Sequence, residues 1–275
     1  YHYANTTQDN SQTLPLIITG GSQPEIENSY WVQLGSDIDG EAADDQSGYS
    51  VSLSSDGKIV AIGAKYKYNN FYYYGQVRIY EYSNDNWVQL GRNIDGKWPY
   101  DQTGHSVSLS SNGKIVAIGA IYHDNNDNTK SGFYNNNYGH VRIFEYKTYT
   151  DDMSGNYHYE NTIQHPQTLP LIITGGSEPI AENSYWVQLG IDIDGESADD
   201  ESGHSVSLSS DGKIVAIGST LNDGNGDRSG HVRIYKYNDV SWSKLGSDID
   251  GESAGDESGF SVSLSSDGKI VAIGA

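Results

Sequence analysis

The stretch SVSLSSDGKIVAIGA begins at Ser50 and returns as SVSLSSNGKIVAIGA at Ser106, SVSLSSDGKIVAIGS at Ser205 and SVSLSSDGKIVAIGA at Ser261. Starts at 50, 106, 205 and 261 lie 56, 99 and 56 residues apart. A chain that copies one unit at this spacing builds its core by stacking the copies, so the repeat restricts the fold more than any single motif does.

Within the unit, SVSLSS alternates small polar with apolar residues, the period of a strand, and KIVAIGA is a short β-branched run suited to a strand buried on both faces. Asp56-Gly57, Asn112-Gly113, Asp211-Gly212 and Asp267-Gly268 stand between them and predict a two-residue hairpin with positive φ. A third alternating segment follows at Gln76, His140 and His231 (QVRIYEY, HVRIFEY, HVRIYKY), then WVQLG or WSKLG at Trp31, Trp87, Trp186 and Trp242. The reading is four short antiparallel strands per unit, a to d, with almost no helix.

The long interval contains a copied segment: YHYENTIQHPQTLPLIITGGSEPIAENSY at Tyr157 nearly duplicates the first thirty residues. The predicted organisation is an arm at 1–30, module 1 at 31–86, module 2 at 87–156, a second arm at 157–185, module 3 at 186–241 and a partial module 4 at 242–275. The cut-off last module is expected to mark a window of a longer array, with the blade number open. A four-stranded sheet with two apolar faces sheds water from them by lying against another sheet, so the expected class is an all-β, β-propeller-type tandem repeat with two inserted extended arms.

Charge narrows the partners. Thirty-seven acidic against sixteen basic side chains give a formal net charge of -21. Such a surface repels phosphates and anionic lipid, which argues against nucleic acid and against direct membrane insertion. The absence of Cys removes disulfides and thiolate chemistry.

SVSLSSDGKIVAIGS followed by HVRIYKY resembles the blade of FG-GAP repeats, the modules of integrin α-subunit propellers; Gly259-Phe260 reads as the FG element and Gly63-Ala64, Gly119-Ala120 and Gly274-Ala275 as the start of GAP. The blade also resembles WD-repeat blades. The resemblance implies adhesion or scaffolding outside the cell, and a calcium cage between strands a and b. Here that connection is only the Ser-Asp-Gly hairpin, so the cage does not carry over.

The ordered acid lies instead between strands d and a. Asp37, Asp39, Glu41 and Asp45 stand at relative positions 1, 3, 5 and 9, a hard-cation ligand spacing, repeated by Asp192, Asp194, Glu196 and Asp200 and by Asp248, Asp250, Glu252 and Asp256. Asp223, Asn225 and Asp227 form a second set, faintly echoed by Asp124, Asn126 and Asn128. Ca2+ is the candidate cation, although no cofactor is required. The alternative is structural: Asp39-Gly40 and its copies make a turn, and Asp45 and its copies cap backbone N–H groups. Module 2 keeps only Asp95 and Asp101 of the pattern, which favours the structural side.

His105 and His204 share a slot with Tyr49 and Phe260, so that slot takes a flat ring for packing; His140 and His231 align with Gln76. No catalytic residue is assigned. Arg78, Arg142 and Arg233 recur in Val-Arg-Ile and are expected to bond the carboxylates Asp45, Asp101 and Asp200, holding sheets in register. Asn5 heads the single N-glycosylation sequon. Nearly interchangeable modules lead to the expectation of a non-enzymatic extracellular structural or adhesion protein, building a filament or surface appendage by self-association or contact with surface proteins and glycans. The alternative is a carbohydrate-binding or carbohydrate-active propeller, with loop tyrosines and acids forming the sugar site.

Overall fold

A computed structural model describes residues 31–69, 71–124, 136–148 and 184–275. The LPLIIT segments of both arms, Asn5, Asn126 and Asn128 lie outside the described residues. All regular elements among the described residues are strands. No helix among them is long and apolar enough to cross a membrane.

Three sheets repeat one plan. The first contains β1 (Ser47–Leu53) and β2 (Ile59–Ala64), a small tyrosine hairpin of β3 (Tyr68–Asn69) and β4 (Tyr72–Tyr73) branching from the loop, then β5 (Gln76–Ser83), β6 (Asn86–Gln89) and the short β7 (Ile94–Asp95). Its order is β1-β2-β5-β6, with β7 pairing β5 beyond the end of β6. The second uses β8 (Ser106–Leu109), β9 (Ile115–Ala120), β10 (His140–Thr148), β11 (Ser184–Gln188) and β12 (Ile193–Asp194). The third uses β13 (Ser205–Leu208), β14 (Ile214–Ser219), β15 (His231–Tyr237), β16 (Trp242–Lys244) and β17 (Ile249–Asp250), and a two-stranded sheet of β18 (Ser261–Leu264) and β19 (Val271–Gly274) follows. Four-stranded antiparallel sheets laid face against face make this a propeller-type all-β fold. The outer strand at Trp87 pairs with the strand before it, so the cut expected between 86 and 87 runs through a hairpin, and Ser184 and Tyr185 belong to β11 instead of an arm.

The core lies between sheets. Ile59, Val77, Ile79 and Ile94 of the first sheet pack on Val107, Leu109, Val116 and Ile118 of the second, and Val141, Ile143 and Ile193 pack in the same way on Val206, Leu208, Val215 and Ile217. The neighbour, not the strand, does the burying: Val107 and Leu109 are 9% and 8% exposed, while their copies Val51 and Leu53 on β1 remain 64% and 57% exposed. Each Val or Leu so covered contributes roughly 2 kcal/mol.

The alternating serines explain themselves at the same junctions. Ser50, Ser106 and Ser205 each donate Oγ–H to a glycine carbonyl of the next sheet (Gly104, Gly203 and Gly259) at 2.7 Å. Those carbonyls lie so close to Gly63, Gly119 and Gly218 that a Cβ there would collide with backbone. At the hairpin tips a backbone ladder crosses all four sheets: Ser55 N–H donates to Ser111 O, Ser111 to Ser210 and Ser210 to Ser266, each at 2.9 Å.

The hairpin itself differs from the expected two-residue turn. Ser54 N–H meets Ile59 O at 2.8 Å, leaving four loop residues, and only Gly57 takes positive φ (72°). Asp56 instead accepts from Ser54 Oγ and Lys58 N–H, while Ser54 Oγ accepts from Ile59 N–H. These side-chain bonds close a loop that is one turn wider.

Candidate functional site at the junctions between sheets

The loop between the outer strand of one sheet and the first strand of the next carries the acids, and the structure divides them between two sides. Asp192 and Asp194 sit around β12, paired to β10 of their own sheet, whereas Glu196 and Asp200 reach the following sheet. Spacing of 1, 3, 5 and 9 therefore encloses no single cage. Asp45, Asp101, Asp200 and Asp256 accept from the backbone N–H three residues earlier, at Ala42, Trp98, Ser197 and Ser253, which is the capping role of the structural alternative.

The remaining predicted ligands are largely satisfied by the protein. Glu41 and Asp45 share the Lys67 ammonium at 2.8 and 2.9 Å, and that contact holds the Glu41 carboxyl below its usual range. Glu196 meets Arg233 at 3.3 Å, and Asp248 meets Lys244 at 2.6 Å. Asp223 accepts from Arg228 N–H, Asn225 donates to the carbonyls of Gly251 and Glu252, and Asp227 accepts from Gly255 N–H through its backbone oxygen. Asp124 likewise accepts from Asn136 and Asn137 N–H. Asp250 lines an open cleft, and Asp37 is not free either.

The arginines do hold neighbouring elements together, but through different partners from those expected. Arg78 Nη2 donates to the backbone carbonyl of Asp39 at 2.7 Å, Arg142 to that of Asp95 at 2.8 Å and Arg233 to that of Asp194 at 2.9 Å. Asp45, Asp101 and Asp200 already serve their own loops, so the guanidinium finds carbonyls of the short extra strand at Asp95 and Asp194, and of the equivalent loop segment at Asp39. Ser47, Thr103 and Ser202 hydroxyls flank the three arginines.

Three positions vary from sheet to sheet around the capped Asp. Three residues beyond the second strand stand Lys67, His123 and Asn222; at the head of the third strand stand Gln76, His140 and His231; in the extra strand stand Asp95, Asp194 and Asp250, preceded two residues earlier by Asn93, Asp192 and Asp248. In the first sheet this leaves a cleft of about 450 Å³ lined by Lys67, Tyr68, Tyr74, Gly75, Gln76, Asp95 and Gly96. Gln76 Nε2 donates to Asp95 Oδ1 at 2.8 Å there. The third sheet has a cleft of about 440 Å³ whose acids are Glu196, Asp200, Asp223, Asp248 and Asp250, beside Asn222 and His231.

The second sheet is different. His123, His140, Asp192 and Asp194 bring four potential ligand atoms within 4.8 Å of one another, a group able to hold a metal. The two imidazoles face each other with centroids 4.0 Å apart and planes 34° apart. His140 is completely buried, and neither ring nitrogen has a hydrogen-bond partner. Burial holds its imidazole well below the ordinary histidine range, so it is neutral. Burial, aided by Asp192, pushes the Asp194 carboxyl up, and Asp194 Oδ1 has no partner. Asp192 is held by Gln188 Nε2 at 2.7 Å and Lys97 Nζ at 3.2 Å. The sequence pattern groups Asp192 and Asp194 with Glu196 and Asp200, whereas the fold sets them beside His140 and His123, a residue the pattern does not single out; comparing Lys67, His123 and Asn222 across modules is the signal that could have found it.

The other histidine slot is as expected. Tyr49, His105, His204 and Phe260 form a ring ladder across the sheets, with centroids 5.1, 5.1 and 4.9 Å apart.

No protein-family model matches the sequence, and no curated protein matches it. Solved structures with a similar fold include a provisionally named 6-phosphogluconolactonase from Bacteroides uniformis (14% identity, TM-score 0.44, covering 82% of this chain and 46% of that one). Others are Sqt1 of Saccharomyces cerevisiae (11%, TM-score 0.40, 78% and 39%) and the periplasmic gluconolactonase of Pseudomonas aeruginosa (12%, TM-score 0.33, 82% and 64%). The chain spans less than two thirds of each of these proteins, and the likeness concerns fold alone.

The expectation of a non-enzymatic adhesion or filament protein is corrected. It rested on interchangeable modules, and the His123, His140, Asp192 and Asp194 set occurs in one module among those described.

Proposed function

We propose that the protein is a carbohydrate-active propeller that seats a saccharide or sugar lactone in the clefts beside the third and extra strands of its sheets. The observation that carries this reading is the first cleft: two phenol rings, Tyr68 and Tyr74, stand beside the Asp95 carboxylate, the Gln76 amide and the Lys67 ammonium. A sugar offers a ring of C–H groups to an aromatic face and hydroxyls to fixed donors and acceptors, and this lining supplies both. Within it, Asp95 is the group that can take a proton from water or from a sugar hydroxyl, with Gln76 fixing its orientation. The lactonase names among the fold neighbours supply a substrate class to try first and nothing more. An extracellular setting, glycan partners and the FG-GAP likeness belong to the same proposal.

The test is a panel of aldonolactones and neutral oligosaccharides, read by acid release and by calorimetry, on the full chain and on Tyr74→Ala and Asp95→Asn. Binding or turnover that falls at least about tenfold in both variants supports the reading, a stacking ring and a carboxylate each being worth about 1–3 kcal/mol. A panel without any ligand, or a ligand indifferent to both substitutions, overturns it.

A further inference from the structure

We propose that His123, His140, Asp192 and Asp194 form a binding site for one divalent d-block cation of the zinc type. The argument begins with His140, which is fully buried with both ring nitrogens unmet, although buried polar atoms are normally paired. Asp192 Oδ2 stands 3.8 Å from His140 Nδ1, beyond hydrogen-bond reach, so the protein itself does not satisfy the imidazole. A neutral imidazole with a free lone pair is the form that ligates a metal.

His123 is prepared in the complementary way. Its Nδ1 lies 3.3 Å from the buried Asp101 carboxylate, and donating that N–H leaves the Nε2 lone pair to a cation, the carboxylate–histidine pairing common behind metal ligands. The four ligand atoms lie within 4.8 Å of one another. Donors of a tetrahedral zinc centre are about 3.3 Å apart, so the side chains need close by only about an ångström each. Lys97 on Asp192 Oδ2 is half exposed and free to swing away as the ion arrives.

Two nitrogens and two carboxylates select zinc, cobalt or nickel over calcium, which takes six or more oxygens. The sister sheets supply an internal comparison. In the first, the corresponding positions hold an ammonium, Lys67, and an amide, Gln76, bonded to Asp95, so its acids already have their donors. In the third, Asn222 replaces the first histidine, and the smaller group of Glu196, His231 and Asp248 already has both its acids paired, Glu196 with Arg233 and Asp248 with Lys244. The full donor set belongs to the second sheet.

The experiment uses the full chain after chelator treatment, titrated with Co2+ and Zn2+ in the absence of any sugar, with visible absorption and calorimetry as readouts, so that its outcome is separate from that of the carbohydrate reading. The expected result is one site per chain with cobalt bands of a tetrahedral centre, displaced by zinc and not by excess Ca2+. His140→Gln installs the residue of the first sheet at this position, and Asp194→Asn keeps the shape of the carboxylate; each is expected to weaken Co2+ binding at least 100-fold while thermal unfolding in chelator shows a folded chain. His231→Gln in the third sheet should leave binding unchanged. A wild-type chain that binds Co2+ no better than the folded His140→Gln chain, equal competition by Ca2+, or loss of the site in His231→Gln overturns the proposal.

Discussion

His105 and His204 come from neighbouring sheets and stack ring against ring, centroids 5.1 Å apart and planes 50° apart. Burial first, then His204 and Lys65, lower the His105 pKa to about 3 from an ordinary 6.5. The folded state thus holds this ring neutral where the unfolded chain would protonate it. Its contribution is complete above about pH 6.5, declines as pH falls and is lost as pH passes through about 3, an upper bound of roughly 5 kcal/mol. His105→Phe, the residue type found at Phe260, should flatten the decline between pH 6 and 4. Urea unfolding at both pH values checks this; a variant with unchanged acid sensitivity would show that other groups dominate.

Two glycines in equivalent turns separate backbone strain from packing between sheets. Gly57 and Gly212 take φ of 72° and 71°, but a Cβ on Gly57 would meet nothing nearer than Leu53 at 3.9 Å, while one on Gly212 would meet Ile115 of the preceding sheet at 2.6 Å. Gly57→Ala is expected to lose about 1 kcal/mol from left-handed strain, and Gly212→Ala a further 1–3 kcal/mol or so from overpacking. Paired denaturation midpoints measure the difference, and equal losses would mean that the turn moves off its neighbour freely.

Arg142 tests the fastening between the first and second sheets. Arg142→Lys removes the planar charged donor that reaches Asp95 O and leaves that part-buried carbonyl to find another partner, so a loss of about 1.5–3 kcal/mol in urea unfolding is expected. A change within about 0.5 kcal/mol would show that the carbonyl is satisfied in some other way.

Trp186 donates its indole N–H to Leu90 O at 2.9 Å, as Trp242 does to Leu189 O and Trp87 to Leu34 O. Trp186→Phe keeps a ring but removes the donor, and about 1 kcal/mol of stability should go with it. Calorimetric melting of the variant against wild type decides the point.

The parts of this fold that were legible in sequence are those carried by alternation: the four segments of each sheet, the all-strand make-up of the described residues and the stacked apolar faces. The turn type was not, because Ser54 and Asp56 side chains close a loop that the Asp-Gly pair alone does not define. Nor were the arginine partners, since a backbone carbonyl such as Asp95 O leaves no mark on residue identity. The histidine site escaped for a different reason. Its members come from three separate segments, and aligning modules draws attention to what is shared, whereas His123 and His140 matter where Lys67 and Gln76 differ from them. The acid spacing between Asp192 and Asp200 misled because the loop turns half its carboxylates each way.

The serine ladder at the hairpin tips bears on how such a gene can lengthen. Ser111 and Ser210 each offer an N–H to one side and accept on the carbonyl from the other, so every tip presents outward what its predecessor requires. A segment duplicated in frame meets a ready seat on arrival, with no compensating change in the flanking copies. A change that displaces the backbone at one tip, by contrast, disturbs two junctions together.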